Sequence, residues 1–93
     1  MIEDEFVEIN NCKYITLIGI ANLLGNSYKT NSIRSHLGHY SFTKFYKFHI
    51  VNRSRCTLFE YNLDFLKTLY KYYEFRKFNA RAGILKEIKK MEG

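Results

Sequence analysis

Residues 15–37, ITLIGIANLLGNSYKTNSIRSHL, constrain the fold more than any other stretch, because they ask for two short helices around one polar turn. Thr16 is placed to cap a helix, and Leu17, Ile20, Ala21 and Leu24 recur behind it at helical spacing. The first helix is therefore expected over 16–25. Gly25 ends it, since the chain must leave the helix through a positive φ that glycine adopts freely. Asn26 to Thr30 make the turn, and a second helix over 31–38 carries Ile33 and Leu37 one turn apart. At about 100° per residue, Asn31, Arg34 and Ser35 fall on the side opposite that apolar edge. Such a pair holds its second helix clear of the body, ready for a nucleic-acid groove.

Downstream the apolar period changes from helical to two. Residues 42–51 (FTKFYKFHIV) set Phe42, Lys44, Tyr46, Phe48 and Ile50 against Thr43, Phe45, Lys47, His49 and Val51. After a turn at Asn52 to Ser54, the segment RCTLFEY at 55–61 reads as a returning strand, which puts Arg53 and Arg55 at or near the tip of a β-hairpin. Asn62 is a cap for a helix running to about Phe78, with Leu63, Leu66, Leu69, Tyr70 and Tyr73 as its core stripe. Phe65, Tyr72, Phe75 and Phe78 make that helix apolar on a second side, which marks it for contact with a partner. Asn79 then caps a last helix, with Ile84, Leu85, Ile88 and Met91 along one side and Lys86, Lys89 and Lys90 along the other. Ahead of the helix pair, residues 5–9 (EFVEI) read as a short strand or a packed arm. Helix, helix, hairpin, helix, helix is an α+β winged arrangement, expected as a single domain over all 93 residues.

Hydrophobic residues make up 46% of the chain and aromatic ones 17%, too much for a disordered polymer. No apolar run reaches bilayer length and no basic-then-apolar leader opens the chain, so a cytoplasmic address without a membrane partner is expected. Cys12 and Cys56 are isolated, which suits a reducing interior and the role of small core residues. His36 and His39 stand three apart, with those cysteines as the available zinc partners, but no pair has Cys-x-x-Cys spacing. His36 reads instead as a partly buried packing residue, and neither metal nor other cofactor is expected. There is no Gly-rich phosphate loop, no HExxH and no nucleophile with a placed base, so no catalytic site is expected either.

Charge is distributed unevenly. Glu3, Asp4, Glu5 and Glu8 load the first ten residues, an acidic arm, with four of the nine acids and no base. Residues 11–93 consequently hold all 15 Lys and Arg against five acids, a net charge of +10, whereas the whole chain carries +6. A body so charged attracts polyanions and speeds their encounter.

With these elements in place, the chain resembles the winged helix-turn-helix proteins of the excisionase and MerR-like group over roughly residues 14–75. Tyr14-Ile15-Thr16, Ile20-Ala21, Leu24-Gly25 and Ser32-Ile33-Arg34 fall where that group has a capped first helix, a small inter-helix residue, a turn glycine and the start of a recognition helix. The hairpin at 42–61 matches the position of the wing, and Asn62-Leu63-Asp64-Phe65-Leu66 that of a helix packed beneath the motif. The turn is about two residues longer than the tight version, so Tyr28 must supply its apolar residue.

The resemblance implies a sequence-selective double-stranded DNA-binding protein: a transcriptional regulator or an excisionase-like accessory factor, of a phage or mobile element. On residue chemistry, Arg34 suits guanine and Asn31 adenine in the major groove, with Ser35 beside them and Lys29 and Thr30 toward phosphate. Arg53 and Arg55 would grip the flank from the hairpin, with Lys44 and Lys47 extending the contact. The aromatic residues of 42–48 and 65–78 are read as core and interface ahead of base stacking. Helices 62–78 and 80–92 are the candidates for a homodimer. The alternative is a protein-binding module on the same scaffold that inhibits or recruits a host protein.

Overall fold

Asn10 and Asn11 both take positive φ, 51° and 66°, and turn the chain back on itself before the first helix begins. Asparagine enters the left-handed region more readily than most residues, and a turn with two such positions matches the twist of paired strands. In the computed structural model, which describes residues 4–51, 53–74 and 78–93, strand β1 (Phe6–Ile9) therefore pairs antiparallel with β2 (Cys12–Thr16). The strand expected at 5–9 is present, and its partner at 12–16 is one that the hydrophobic pattern did not announce.

Helices α1 (Leu17–Leu23) and α2 (Thr30–His36) follow, then a 3₁₀ turn (Tyr40–Phe45), strands β3 (Tyr46–Val51) and β4 (Ser54–Glu60), and helices α3 (Leu63–Tyr72) and α4 (Phe78–Glu92). The strands form one four-stranded antiparallel sheet in the order β1-β2-β4-β3. The hairpin expected after the helix pair is thus one half of a larger sheet. The Cα radius of gyration, 12.6 Å, is close to the ~12 Å of a compact chain of this length, and the whole is a small α+β protein.

Register sets what each face of the sheet meets. Ile15, Phe59 and Tyr46 lie on one face, and Ile15 and Phe59 are buried against the helices. Leu58, Cys56 and Tyr14 lie on the other, in a smaller cluster that Val7 and Ile9 complete. Cys56 is a core residue as expected, whereas Cys12 is exposed because it opens β2 next to the turn.

The capping residues behave as their chemistry requires. Thr16 Oγ1 accepts from Gly19 N at 3.1 Å, and Asn62 Oδ1 accepts from Phe65 N at 2.8 Å. Gly25 leaves α1 with φ 65°, followed by Asn26 at 56°. Thr16 does more than cap: its hydroxyl donates to the Asp4 carbonyl at 2.6 Å and its backbone N–H to the Glu5 carbonyl at 3.0 Å. Asn22 also donates to the Glu5 carboxylate at 2.7 Å. Asp4 and Glu5 of the acidic arm are thereby docked on α1.

Some element bounds and one helix face need correction. Residues 42–45 are not strand: Phe42 and Phe45 both turn into the core, which a 3₁₀ turn permits and a period-two strand forbids. Helix α3 stops at Tyr72, short of Phe78, while α4 begins at Phe78, one residue ahead of the expected cap Asn79. Phe75 and Asn52 lie outside the described residues. Of the second apolar side expected on α3, Phe65 and Tyr72 pack against the chain itself. Phe65 packs on Phe42, Phe45 and Phe59 with ring centroids 5.4–6.2 Å apart, and Tyr72 meets His36, His39 and Phe42. On α4, Ala80, Ile84 and Ile88 are buried while Leu85 and Met91 face outward. Gly83 brings α4 against α1, where a β-carbon would collide with the Leu23 carbonyl oxygen.

Two outcomes follow from this packing. Thr16→Val keeps the shape but removes the cap and the tie to Asp4, and is expected to cost about 1–2 kcal/mol by denaturant unfolding. Tyr61 donates to Glu87 Oε1 at 2.8 Å. That bond, assisted by Lys90 and opposed by burial, holds the Glu87 carboxyl below its ordinary range. Burial first, and then Glu87, push the Tyr61 phenol up. A lowered carboxylate stabilises the fold above its ordinary titration range, and the gain is lost as pH falls through the lowered value. Tyr61→Phe should therefore cost about 1 kcal/mol near neutrality, a difference that shrinks in unfolding curves recorded as Glu87 becomes protonated.

Candidate functional site

Helix α2 is short, and its two sides differ sharply. Ile33 is fully buried and Leu37, just beyond the helix, is buried too, whereas Asn31, Arg34 and Ser35 are exposed on the other side. Lys29, also exposed, precedes the first residue Thr30 and accepts the Ile33 N–H on its carbonyl at 3.0 Å. Ser35 Oγ donates to the Asn31 carbonyl at 3.3 Å. The lengthened turn is anchored by Tyr28, which is half-buried with its ring 5.3 Å from His36 and 5.5 Å from Tyr73. His36 Nδ1 and the Tyr73 hydroxyl share a hydrogen bond of 3.0 Å, so this half-buried histidine is a packing residue.

Between the start of α1, the outer side of α2 and strand β4 runs a cleft of two adjoining hollows, about 320 and 390 Å³, that share Leu17, Arg34 and Thr57. Thr30, Asn31 and Arg34 line the first from α2, and Arg55 from β4 faces them across it. The second continues past Leu37 and Gly38 to Tyr46 and Phe59 on the sheet. Arg34 stands where the hollows meet. The fold thus brings Thr30, Asn31, Arg34 and Arg55 to one place, with Lys29 and Ser35 on the flanks of α2. Arg53 is exposed at the β3–β4 turn with φ 66°.

Lys44 and Lys47 are not part of that group. Lys44 Nζ lies 2.8 Å from Asp64 at the start of α3. Lys47 pairs in register with Leu58, on the face of the sheet turned away from the cleft, and sits 3.6 Å from Glu60. Ion pairs among the described residues engage Lys44, Lys47, Lys67 and Lys90, and none of them engages Arg34, Arg53, Arg55 or Lys29. The arginines of the cleft keep their charge for whatever enters it.

Beside the cleft runs an apolar stripe on β3 that residue patterns did not assign to a site, and its first residue, Tyr46, lines the second hollow. Tyr46, Phe48 and Ile50 alternate along β3, share the face of Phe59, Thr57 and Arg55, and are 46%, 45% and 69% exposed. Phe42 and Phe45 are buried, so the aromatic run 42–48 divides: its first two rings build the core and its last two face solvent. The Arg55 guanidinium lies 4.7 Å over the Phe48 ring, a cation–π contact. The signal was the alternation itself, but with apolar residues in both phases it could not say which phase faces water. Among the described residues no three His, Cys, Asp or Glu side chains gather as metal ligands, and no helix is long and apolar enough to cross a membrane.

No family model, curated protein or solved structure matches the chain. Its functional reading rests on this cleft. What the cleft offers is a helix edge with amide, hydroxyl and guanidinium groups, a second guanidinium opposite, and two exposed rings alongside. Chemically, such a set can pair with anionic groups and hydrogen-bond or stack on flat polar ones.

Proposed function

We propose that the chain binds double-stranded DNA sequence-selectively, as a winged helix-turn-helix protein serving transcriptional regulation or, like an excisionase, recombination. One observation carries this reading: Arg34 of α2 and Arg55 of β4 line the same cleft, and neither is held in an ion pair among the described residues. Helix α2 enters the major groove, where Arg34 spans two guanine acceptors and Asn31 meets adenine. Lys29 and Thr30 sit on phosphate at the head of the helix. The β3–β4 hairpin is the wing, and Arg53 and Arg55 hold the flanking backbone or the minor groove. The excess of bases over acids in residues 11–93 supports this assignment, since it attracts the duplex before any specific contact forms.

A protein-binding module on the same scaffold is the second reading, favoured by the exposed stripe of Tyr46, Phe48 and Ile50. The two readings part on electrostatics. Phosphate contacts make duplex affinity fall linearly with the logarithm of salt, with a slope of about −0.9 per phosphate neutralised. A steep slope, together with enrichment of a motif from a random duplex pool, is the expected outcome. Arg34→Ala should reduce discrimination between that motif and its variants by about tenfold or more, while Arg53→Ala weakens all duplexes alike. Salt-insensitive binding, or no duplex binding near physiological salt, would overturn the proposal.

A further inference from the structure

We infer that the β3 stripe adjoining the cleft at Tyr46 receives bases that are no longer stacked on one another, so that DNA held there is opened at the point of contact. This inference rests on the DNA-binding reading above and names the state of the duplex that the site takes. Tyr46 and Phe48 project from the same face of β3, and both are nearly half exposed. Two positions apart on a strand means about 6.8 Å, twice the ~3.4 Å rise between bases along one strand of a duplex. Neighbouring bases cannot lie against both rings and remain stacked.

The surroundings suit bases better than an apolar peptide. Tyr46 shares its hollow with Arg34, and Thr57, which lines both hollows, is the cross-strand partner of Phe48. The Arg55 guanidinium over Phe48 adds a flat cation on which a base can stack while its phosphate is neutralised. Among the described residues strand β3 is the edge of the sheet, with no strand beyond it to block a nucleic-acid backbone from running along it. Ile50, the most exposed of the three, continues the stripe toward the tip and provides an apolar wedge of the kind that separates base steps.

The test uses one short duplex in two forms, fully paired and with a two-nucleotide mismatch, titrated by fluorescence anisotropy at fixed salt. A mismatch removes part of the cost of unstacking, so the mismatched form should bind about tenfold more tightly. Phe48→Ala, at an exposed position, should bring the two affinities together, whereas Arg34→Ala should weaken both by a similar factor. With the wild-type chain, 2-aminopurine placed in the paired form should brighten on binding, as it does when it loses its stacking neighbours. Equal affinities for the two forms, or 2-aminopurine that stays quenched throughout the bound duplex, would overturn the inference and leave duplex binding intact. Absence of binding to either form would instead remove the DNA-binding reading on which it stands.

Discussion

Everything in this molecule that bears on the cleft is referred to one junction, the residue at which strand becomes helix. Thr16 closes β2, pairs in register with Leu58 of β4, and begins α1 with its side chain as the cap. The same side chain ties the N-terminal arm through Asp4. Its burial is tolerable because the hydroxyl is satisfied as both donor and acceptor. Since Thr16 and Leu17 also line the cleft, the angle between sheet and helix pair is fixed at the place where the site opens. A slip of one residue in β4 against β2 would turn Phe59 away from Ile15 to the opposite face and separate Arg55 from Arg34.

Local chemistry made much of this legible in the sequence. Thr16, Asn62 and Gly25 announce their roles because capping and positive φ are demands that few side chains meet. The two-sided character of α2 follows from Ile33 and Leu37 alone. The reading failed where tertiary packing decides. Phe42 and Phe45 look like members of an alternating strand, yet both fill the space beside Phe65, and a tight turn is the backbone that lets them do so. The β1–β2 hairpin was missed because its signal is the pair Asn10-Asn11, without the glycine that usually marks such turns. For the candidate site, the meeting of Arg34 and Arg55 across one cleft depends on the sheet register, which no local pattern encodes. Lys44 and Lys47 were included on charge alone, and their acidic neighbours come from distant sequence.

Those neighbours shape the field around the cleft more than they shape stability. The ion pairs of Lys44 with Asp64, Lys47 with Glu60 and Lys67 with Glu92 join side chains that are 38–64% exposed. Pairs so open to water contribute little to folding. They do cancel positive charge locally, away from the cleft. Arg34 and Arg55, engaged in none of these pairs, hold positions set by α2 and β4.

The contact between Arg55 and Phe48 has a consequence beyond geometry. A free arginine on a surface samples many rotamers, and holding it still on association costs entropy. Here the guanidinium already rests on a ring fixed to the same hairpin. Part of that loss of freedom has occurred on folding, before any ligand arrives, so the cation meets its partner pre-aligned.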